Sequence, residues 1–270
     1  KMDPLEAKHH SARDRMRAIV LAAGDGSRML STLPKPLHLV DGVPMTLRIL
    51  NALEKINLEG VVVVVGNQAK LVAETLTQLS GDSSRFEFVE QRVRRGTADA
   101  ARIGLQSFGI DEASELDFDV LVLPGDMPLL TSETLIQMQE HHQKLRSAAT
   151  LLTAKFEDPS GYGRIIRDQD GRIERVVEHA DAGPAELDIN EVNTSVYCFN
   201  SLLLSQTLAK VENSNSQNEY YLTDVIELLG KSGHLVTGVV VEEADEVRGV
   251  NTQEQLVECE TLLRARTDVK

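Results

Sequence analysis

Tryptophan is absent from the 270 residues and aromatics make up only 4%, which removes a packing option but leaves a hydrophobic share of 41%, ordinary for a folded globular chain. Cysteine is scarce. Cys198 and Cys259 lie far apart, with no CxxC or Cys/His ligand spacing, so neither a disulfide framework nor a zinc site is indicated and a reducing, cytoplasmic setting is expected. Positive charge is also short. With 28 Lys and Arg against 42 Asp and Glu, the formal net charge is −14, which argues against partners that need a broad positive field, nucleic acid and anionic membrane alike. A polyanionic ligand would have to be held locally. No apolar run approaches the ~18 to 20 residues of a membrane span, and the opening KMDPLEAKHHSARDRMR lacks the apolar centre of a signal peptide. Residues 1–16 are expected to be a mobile leader or a remnant of processing, with His9-His10 part of it rather than a metal site. Internal repeats and low-complexity linkers are missing. So is any Ser/His/Asp or Cys/His arrangement, which leaves covalent catalysis without support.

What is present alternates. Apolar, β-branched runs at AIVLAAG (18–24), VVVVVGN (61–67), FEFVEQ (86–91) and DVLVLPGD (119–126) are separated by MTLRILNALEKI, AKLVAETLTQL and ADAARIGLQSF, whose apolar residues recur at helical spacing. Strands alternating with helices predict an α/β fold with a mainly parallel central sheet, and the unbroken Val61 to Val65 predicts a strand buried on both faces. After the helix-like TSETLIQMQEHHQKL the pattern changes. ATLLTAKF, GRIIRD, GRIERVVEH and NTSVYCFN predict an added, more antiparallel β-rich portion over 150–200, with Asp170-Gly171 as a hairpin turn. NEYYLTDVIELLGKSG reads as a helix, HLVTGVVVEE as a strand, and GVNTQEQLVECETLLRAR as a final helix over 251–270, with Thr252 and Gln255 forming its capping box behind Asn251.

The loop LAAGDGSRM (21–29) raises the functional question, because glycines behind a strand let backbone N–H groups approach an anion. It lacks the last glycine of GxGxxG, and no GxxxxGK[ST] follows, so dinucleotide-dehydrogenase and P-loop readings lose ground. Gly24 and Gly26 either cradle a ligand or merely make a tight turn. Arg28 and Lys35, the latter between prolines, are spaced to bracket a triphosphate, or are simply solvated cations. Asp126, just past a strand and after a glycine, suits Mg²⁺, which takes one or two protein oxygens beside phosphates and water, or is a plain turn residue. Asn251 could add a neutral oxygen or just start a helix. His141-His142 is expected on a helix surface, and Arg92-Val93-Arg94-Arg95 in a solvated loop.

Taken together, LAAGDGSRM, LPKPLH, QRVRRGTADA, PGDMPLL, DPSGYGRIIRD, VVEH, NTSVYCFN, NEYYLTD and GVNTQEQL, in this order from about Arg17 to Glu260, resemble the uridylyltransferase domain of the bacterial bifunctional GlmU family of sugar-nucleotide pyrophosphorylases. The resemblance implies a Rossmann-like (GT-A-like) nucleotidyltransferase domain over 17–250. It implies UMP transfer from UTP to N-acetylglucosamine 1-phosphate with Mg²⁺, giving UDP-N-acetylglucosamine and pyrophosphate. By position, it implies that Leu21, Ala22, Ala23 and Gly24 frame the uridine while Gln91, Gly96 and Thr97 read the base. Arg28 and Lys35 would meet the phosphates, Asp126 and Asn251 would hold the metal, and Gly163, Glu178 and Asn193 would contact the sugar and its acetamido group.

Three places depart from that family. Asp25 stands where a basic or neutral residue is usual, and a carboxylate there opposes a polyphosphate unless it is turned away or engaged with metal. Ala98-Asp99 and Ser195 replace residues that are commonly Gly or Ala with His, and Gly. No hexapeptide repeats follow the last helix, so the family's left-handed β-helix and its acetyl transfer are expected to be absent from this chain, and no oligomeric state is implied. The rival expectations are a nucleotidyltransferase for another sugar phosphate or nucleotide, and a non-catalytic nucleotide-sugar-binding module.

Overall fold

The computed structural model describes residues 15–268; His9-His10 and the rest of the expected leader up to residue 14 lie outside the described residues. β1 (Met16–Ala22) is followed by two 3-10 turns (Ser27–Met29 and Lys35–Leu37), the short pair β2 (Leu39–Val40) and β3 (Val43–Pro44), and α1 (Met45–Leu53). Next come β4 (Val61–Val65), α2 (Ala69–Ser80), β5 (Glu87–Glu90), α3 (Thr97–Ser107), β6 (Asp119–Pro124) and α4 (Ser132–Leu145). The second half holds β7 (Ala149–Lys155), β8 (Arg164–Arg167), β9 (Ile173–Val177), α5 (Pro184–Leu187), β10 (Glu191–Asn200), α6 (Ser201–Leu208), α7 (Asp224–Lys231), β11 (Val236–Val240) and α8 (Gln253–Asp268).

One nine-stranded sheet organises these elements in the order β11-β7-β10-β6-β1-β4-β5, with β8 and β9 attached beside β10. β1 pairs in parallel with both β4 and β6, so the chain winds outward from β1 in both directions and a crevice opens at the carboxyl ends of β1 and β6. The glycine loop leaves one of those ends and Asp126 follows the other. β4 is buried on both faces as its sequence predicts: Val63 and Val65 face the core that includes α1, α2 and α4, whereas Val62 and Val64 face the core of α3, α6 and α7. A third, smaller cluster packs Met29 and Met45 against Val250 and Cys259, fixing α8 beside the glycine loop. Both cysteines are free and buried.

The 150–200 portion is antiparallel throughout, β7 and β8 each pairing with β10 and β9 with β8. β7 and β11 run parallel to each other, and β10 is the reversed strand between β6 and β7. The β8–β9 hairpin turns through 168–172, where Asp168 Oδ1 accepts from the N–H groups of Asp170 and Arg172 and Gly171 takes φ 78, a longer loop than an Asp-Gly two-residue turn. Pairing of β10 with β7 slips between Asn193 and Tyr197, where Ser195 sits at φ 63. This bulge turns Asn193 toward the crevice.

Two further expectations are corrected. Only Asp224–Lys231 of the NEYYLTDVIELLGKSG stretch is helical. The preceding residues are drawn straight by backbone bonds to the Gly96 loop: Tyr220 N–H donates to the Arg95 carbonyl at 2.7 Å, and Ala98 N–H to the Tyr220 carbonyl at 2.9 Å. His142 is not on a helix surface but 1% exposed, with Nδ1 2.8 Å from Thr150 Oγ1 and Nε2 3.4 Å from Asp119 Oδ1. Its burial gives it a packing role under the sheet.

Gly66, directly after β4, has no room for a side chain, since an added Cβ would lie 2.5 Å from the Ala23 carbonyl oxygen at the start of the glycine loop. Gly66→Ala should therefore cost about 1 to 3 kcal/mol of stability, read as a lowered denaturant midpoint. An unchanged midpoint would show that the Ala23 carbonyl is free to move.

Candidate active site

The crevice at the ends of β1 and β6 is a cleft of about 430 Å³. Its lining includes Leu21, Ala22, Ala23, Gly24, Arg28, Lys35, Gln91, Gly96, Thr97, Asp126, Gly163, Glu178, Asn193 and Asn251, so the structure brings together all the site residues singled out from the sequence.

The corner nearest the sheet is built around Lys35. Gly26 takes φ 64, and a Cβ there would fall 2.8 Å from Lys35 Cβ, so glycine lets the loop close against the lysine. Asp126 is carried by a turn pinned to the sheet: Gly125 N–H donates to the Leu21 carbonyl at 2.8 Å, and the Thr46 hydroxyl donates to the Gly125 carbonyl at 2.7 Å. Asn251 is held from the other side by the predicted capping box. Gln255 Oε1 accepts from the N–H groups of Asn251 at 2.7 Å and Thr252 at 3.2 Å, and Thr252 Oγ1 accepts from Gln255 N–H at 3.3 Å.

These parts meet at one ammonium group. Lys35 Nζ donates to Asp126 Oδ2 at 2.5 Å and to Asn251 Oδ1 at 2.8 Å, and an Arg28 guanidinium N–H donates to the same Asn251 oxygen at 3.0 Å. Two oxygens converging on a single cation, a carboxylate and a neutral amide oxygen, fit the few protein donors that Mg²⁺ takes beside phosphate and water. Among the described residues no group of three or more His, Cys, Asp or Glu is placed to hold a metal.

The second corner holds Gln91, 5% exposed, whose Nε2 donates to Asp99 Oδ2 at 2.9 Å and to the Gly96 carbonyl at 3.2 Å. The Gly96 carbonyl can only accept, so the amide lies with its nitrogen inward, between Gly96 and Asp99, and leaves Oε1 as the acceptor for a ligand N–H. Asp99 is itself paired with Arg102. Gly96 has φ 114, and a Cβ would lie 2.7 Å from Tyr220 N. Thr97 starts α3 and its hydroxyl accepts from Leu222 N–H at 3.0 Å, so this corner is stitched to the stretch ahead of α7.

The third corner lies where β8, β9 and β10 meet. Gly163 accepts Asn193 N–H at 2.9 Å, and a Cβ on Gly163 would press Val176 Cγ1 at 3.1 Å. The Asn193 side chain is held at both ends: Nδ2 donates to the Tyr197 hydroxyl at 2.7 Å, and Oδ1 accepts from Ser195 N–H at 3.3 Å. Glu178 Oε1 accepts from the Thr223 hydroxyl at 3.0 Å. Burial pushes the Glu178 carboxyl above its ordinary range against the opposing Thr223 bond, and Asp224 and Asp181 add to the rise.

Sequence reasoning passed over several lining residues. Tyr162 closes the cleft with its hydroxyl accepting from Gly249 N–H at 3.3 Å, its ring tilted on Phe156 at 5.0 Å. Thr223 and Tyr197 lie in apolar surroundings that read as core, and only their contacts with Glu178 and Asn193 reveal them. Arg94, expected in a solvated loop, lines the cleft and pairs with Asp25 at 2.8 Å. Asp25 thus neither turns fully away nor depends on metal.

A mainly parallel sheet whose central strands end in a glycine loop and a lysine-bridged carboxylate has its crevice where α/β proteins bind nucleotides. Residues 17–245 match the nucleotidyl transferase family, and the chain belongs to it. The proteins called bifunctional protein GlmU of Bacillus cytotoxicus and Bacillus cereus strain G9842 are each 41% identical to it over 253 residues, covering 94% of this chain and 53% of theirs. The chain therefore spans about half the length of these curated relatives. Two solved structures share the fold: a putative glucose-1-phosphate thymidylyltransferase from Bacillus anthracis in complex with a sucrose (TM-score 0.69, 20% identity, 92% of this chain and 95% of that one) and a UDP-glucose pyrophosphorylase complexed with UDP-glucose (TM-score 0.71, 17% identity, 93% and 99%).

Because the folded pKa of Glu178 is raised above the ordinary 4.5, its stabilising contribution is complete below that value and is lost as pH rises through the folded pKa. Glu178→Gln should therefore match the parent at low pH and become the more stable of the two as pH approaches neutrality, measured by urea unfolding across that range. A difference that stays constant with pH would remove the assignment.

Proposed function

We propose that this chain transfers UMP from UTP to N-acetylglucosamine 1-phosphate, releasing pyrophosphate. The observation that carries the reading is the meeting of Arg28, Lys35, Asp126 and Asn251 at the sheet's switch point, with an amide-reading corner on each side of it.

The chemistry asks little of the protein beyond position and charge. A phosphate monoester oxygen on the sugar is already largely ionised near neutrality, so it attacks the α-phosphorus of UTP without a general base. A phosphorus–oxygen bond forms to it as the bond to the departing pyrophosphate breaks, and the charge shifted onto the leaving oxygens is met by Arg28 and Lys35. This accounts for a cleft without a covalent nucleophile. Asp126 and Asn251 would hold Mg²⁺, whose contribution when bound is to neutralise phosphate charge and align the two reactants.

Selectivity follows from the flanking corners. Gln91 Oε1, turned outward by the bonds to Gly96 and Asp99, suits the imide N–H of uracil, with Gly96 and Thr97 beside it and Leu21, Ala22, Ala23 and Gly24 framing the nucleoside. Asn193, locked between Tyr197 and Ser195, presents a fixed amide to the acetamido group, while Glu178 and the Gly163 backbone face the sugar. No helix among the described residues is long and apolar enough to cross a membrane. The reading places the reaction in the cytoplasm, with soluble substrates.

Pyrophosphate release with Mg²⁺ should require UTP and the acetylated sugar phosphate, against glucose 1-phosphate and other nucleoside triphosphates in parallel. A preference for another pair would reassign the substrates, and silence across the panel in folded protein would favour a binding module. Asp126→Asn keeps the side chain's size and an acceptor for Lys35 but removes its charge, so turnover should fall by about a hundredfold or more in protein whose far-UV circular dichroism shows the fold retained. Near-normal turnover at matched Mg²⁺ would exclude Asp126 as metal ligand. Asp99→Ala should release the Gln91 amide and narrow the preference for UTP over CTP by about tenfold, measured as a ratio of kcat/KM values. An unchanged ratio would show that Gln91 is oriented by Gly96 alone.

A further inference from the structure

Asp25 and Arg94 face each other across the mouth of the cleft. Asp25 belongs to the glycine loop that also carries Arg28, whereas Arg94 lies in the loop between Gln91 and Gly96. Arg94 Nη1 is 2.8 Å from Asp25 Oδ2, and Asp25 Oδ1 accepts from Ser27 N–H at 3.1 Å. Together the Ser27 N–H and the Arg94 guanidinium hold the Asp25 carboxyl below its usual range, so it is ionised at neutral pH. The two side chains are 50% and 46% exposed, so the pair adds little to the stability of the fold.

Its importance is electrostatic. A carboxylate three residues from Arg28 repels any polyphosphate that Arg28 and Lys35 attract, the more so inside a cleft, where water screens less. We propose that Arg94 is a positioning residue that neutralises Asp25 and clasps the phosphate loop to the base-side loop, allowing a cleft with an anionic residue in its phosphate loop to take a nucleoside polyphosphate. This rests on the reading that a nucleotide enters between these loops. It assigns Arg94 to Asp25 and not to the ligand, and so predicts that loss of Arg94 is harmful only while Asp25 is present.

The test is a double-variant cycle read by calorimetric binding of UTP and of UMP with Mg²⁺. Arg94→Ala should weaken UTP binding by about five- to tenfold and UMP binding by less, because the repulsion grows with ligand charge. Asp25→Ala should tighten UTP binding, and the double variant should recover most of what Arg94→Ala loses. Thermal unfolding of all four proteins should coincide closely, separating the effect from a merely structural one. If Arg94→Ala weakens UTP equally with and without Asp25, or has no effect at all, the clasp is overturned while the proposed function stands. If the parent binds no nucleoside triphosphate, the proposed function falls and the clasp with it.

Discussion

One ammonium group holds the site together. Lys35 Nζ reaches Asp126, 91 positions along the chain, and Asn251, 216 positions along; the Asp126 carbonyl is anchored by Val250 N–H, and Asn251 N–H by Gln255 Oε1. The constraint is electrostatic before it is geometric. Lys35 is 12% exposed and Asp126 24%, so each charge is substantially removed from water and needs the other. A lysine in that position obliges the glycine loop, the turn after β6 and the start of α8 to arrive at the same point. Gly26 lets the first approach, Gly125 lets the second sit against β1, and the capping box of α8 presents the third.

The sheet order supplies the rest of the arrangement. Because β1 has parallel neighbours on both sides, the loops leaving β1 and β6 turn away from each other and leave a crevice between them. β10, the reversed strand, brings a different resource. Running antiparallel beside β6, it carries Asn193 past the bulge at Ser195 to the cleft, and it anchors the β8–β9 hairpin from which Gly163 and Glu178 face the same space. Groups proposed to read the ligand, from the parallel half and from the hairpin, thus share one cavity.

How much of this was legible in the sequence depends on the range of the interaction. The strand runs, the glycine loop, the Thr252–Gln255 cap and the double-faced burial of Val61 to Val65 depend on near neighbours and could be read directly. Residues whose meaning depends on a distant partner could not. Arg94 in RVRRG looks solvated until Asp25 is opposite it, Thr223 looks like core until Glu178 accepts its hydroxyl, and His142 looks exposed until Asp119 and Thr150 surround it. The helix expected over NEYYLTD failed for the same reason. Its local pattern was overridden by strand-like bonds from Tyr220 to the loop at Gly96, a contact across more than a hundred positions.

The cleft also resolves the tension between an anionic protein and an anionic ligand. A net charge of −14 disfavours the approach of a polyphosphate, yet Arg28 and Lys35 are gathered in the cleft, where Arg94 is paired with the Asp25 carboxylate. Neither Arg28 nor Lys35 stands idle: each already donates to Asp126 or Asn251. A phosphate must therefore exchange with existing acceptors, so binding strength is the difference between two sets of charge-assisted hydrogen bonds rather than the sum of new ones. On the proposed function such an exchange would favour a ligand that arrives with its own divalent cation, which Asp126 and Asn251 would hold while Lys35 is released for phosphate.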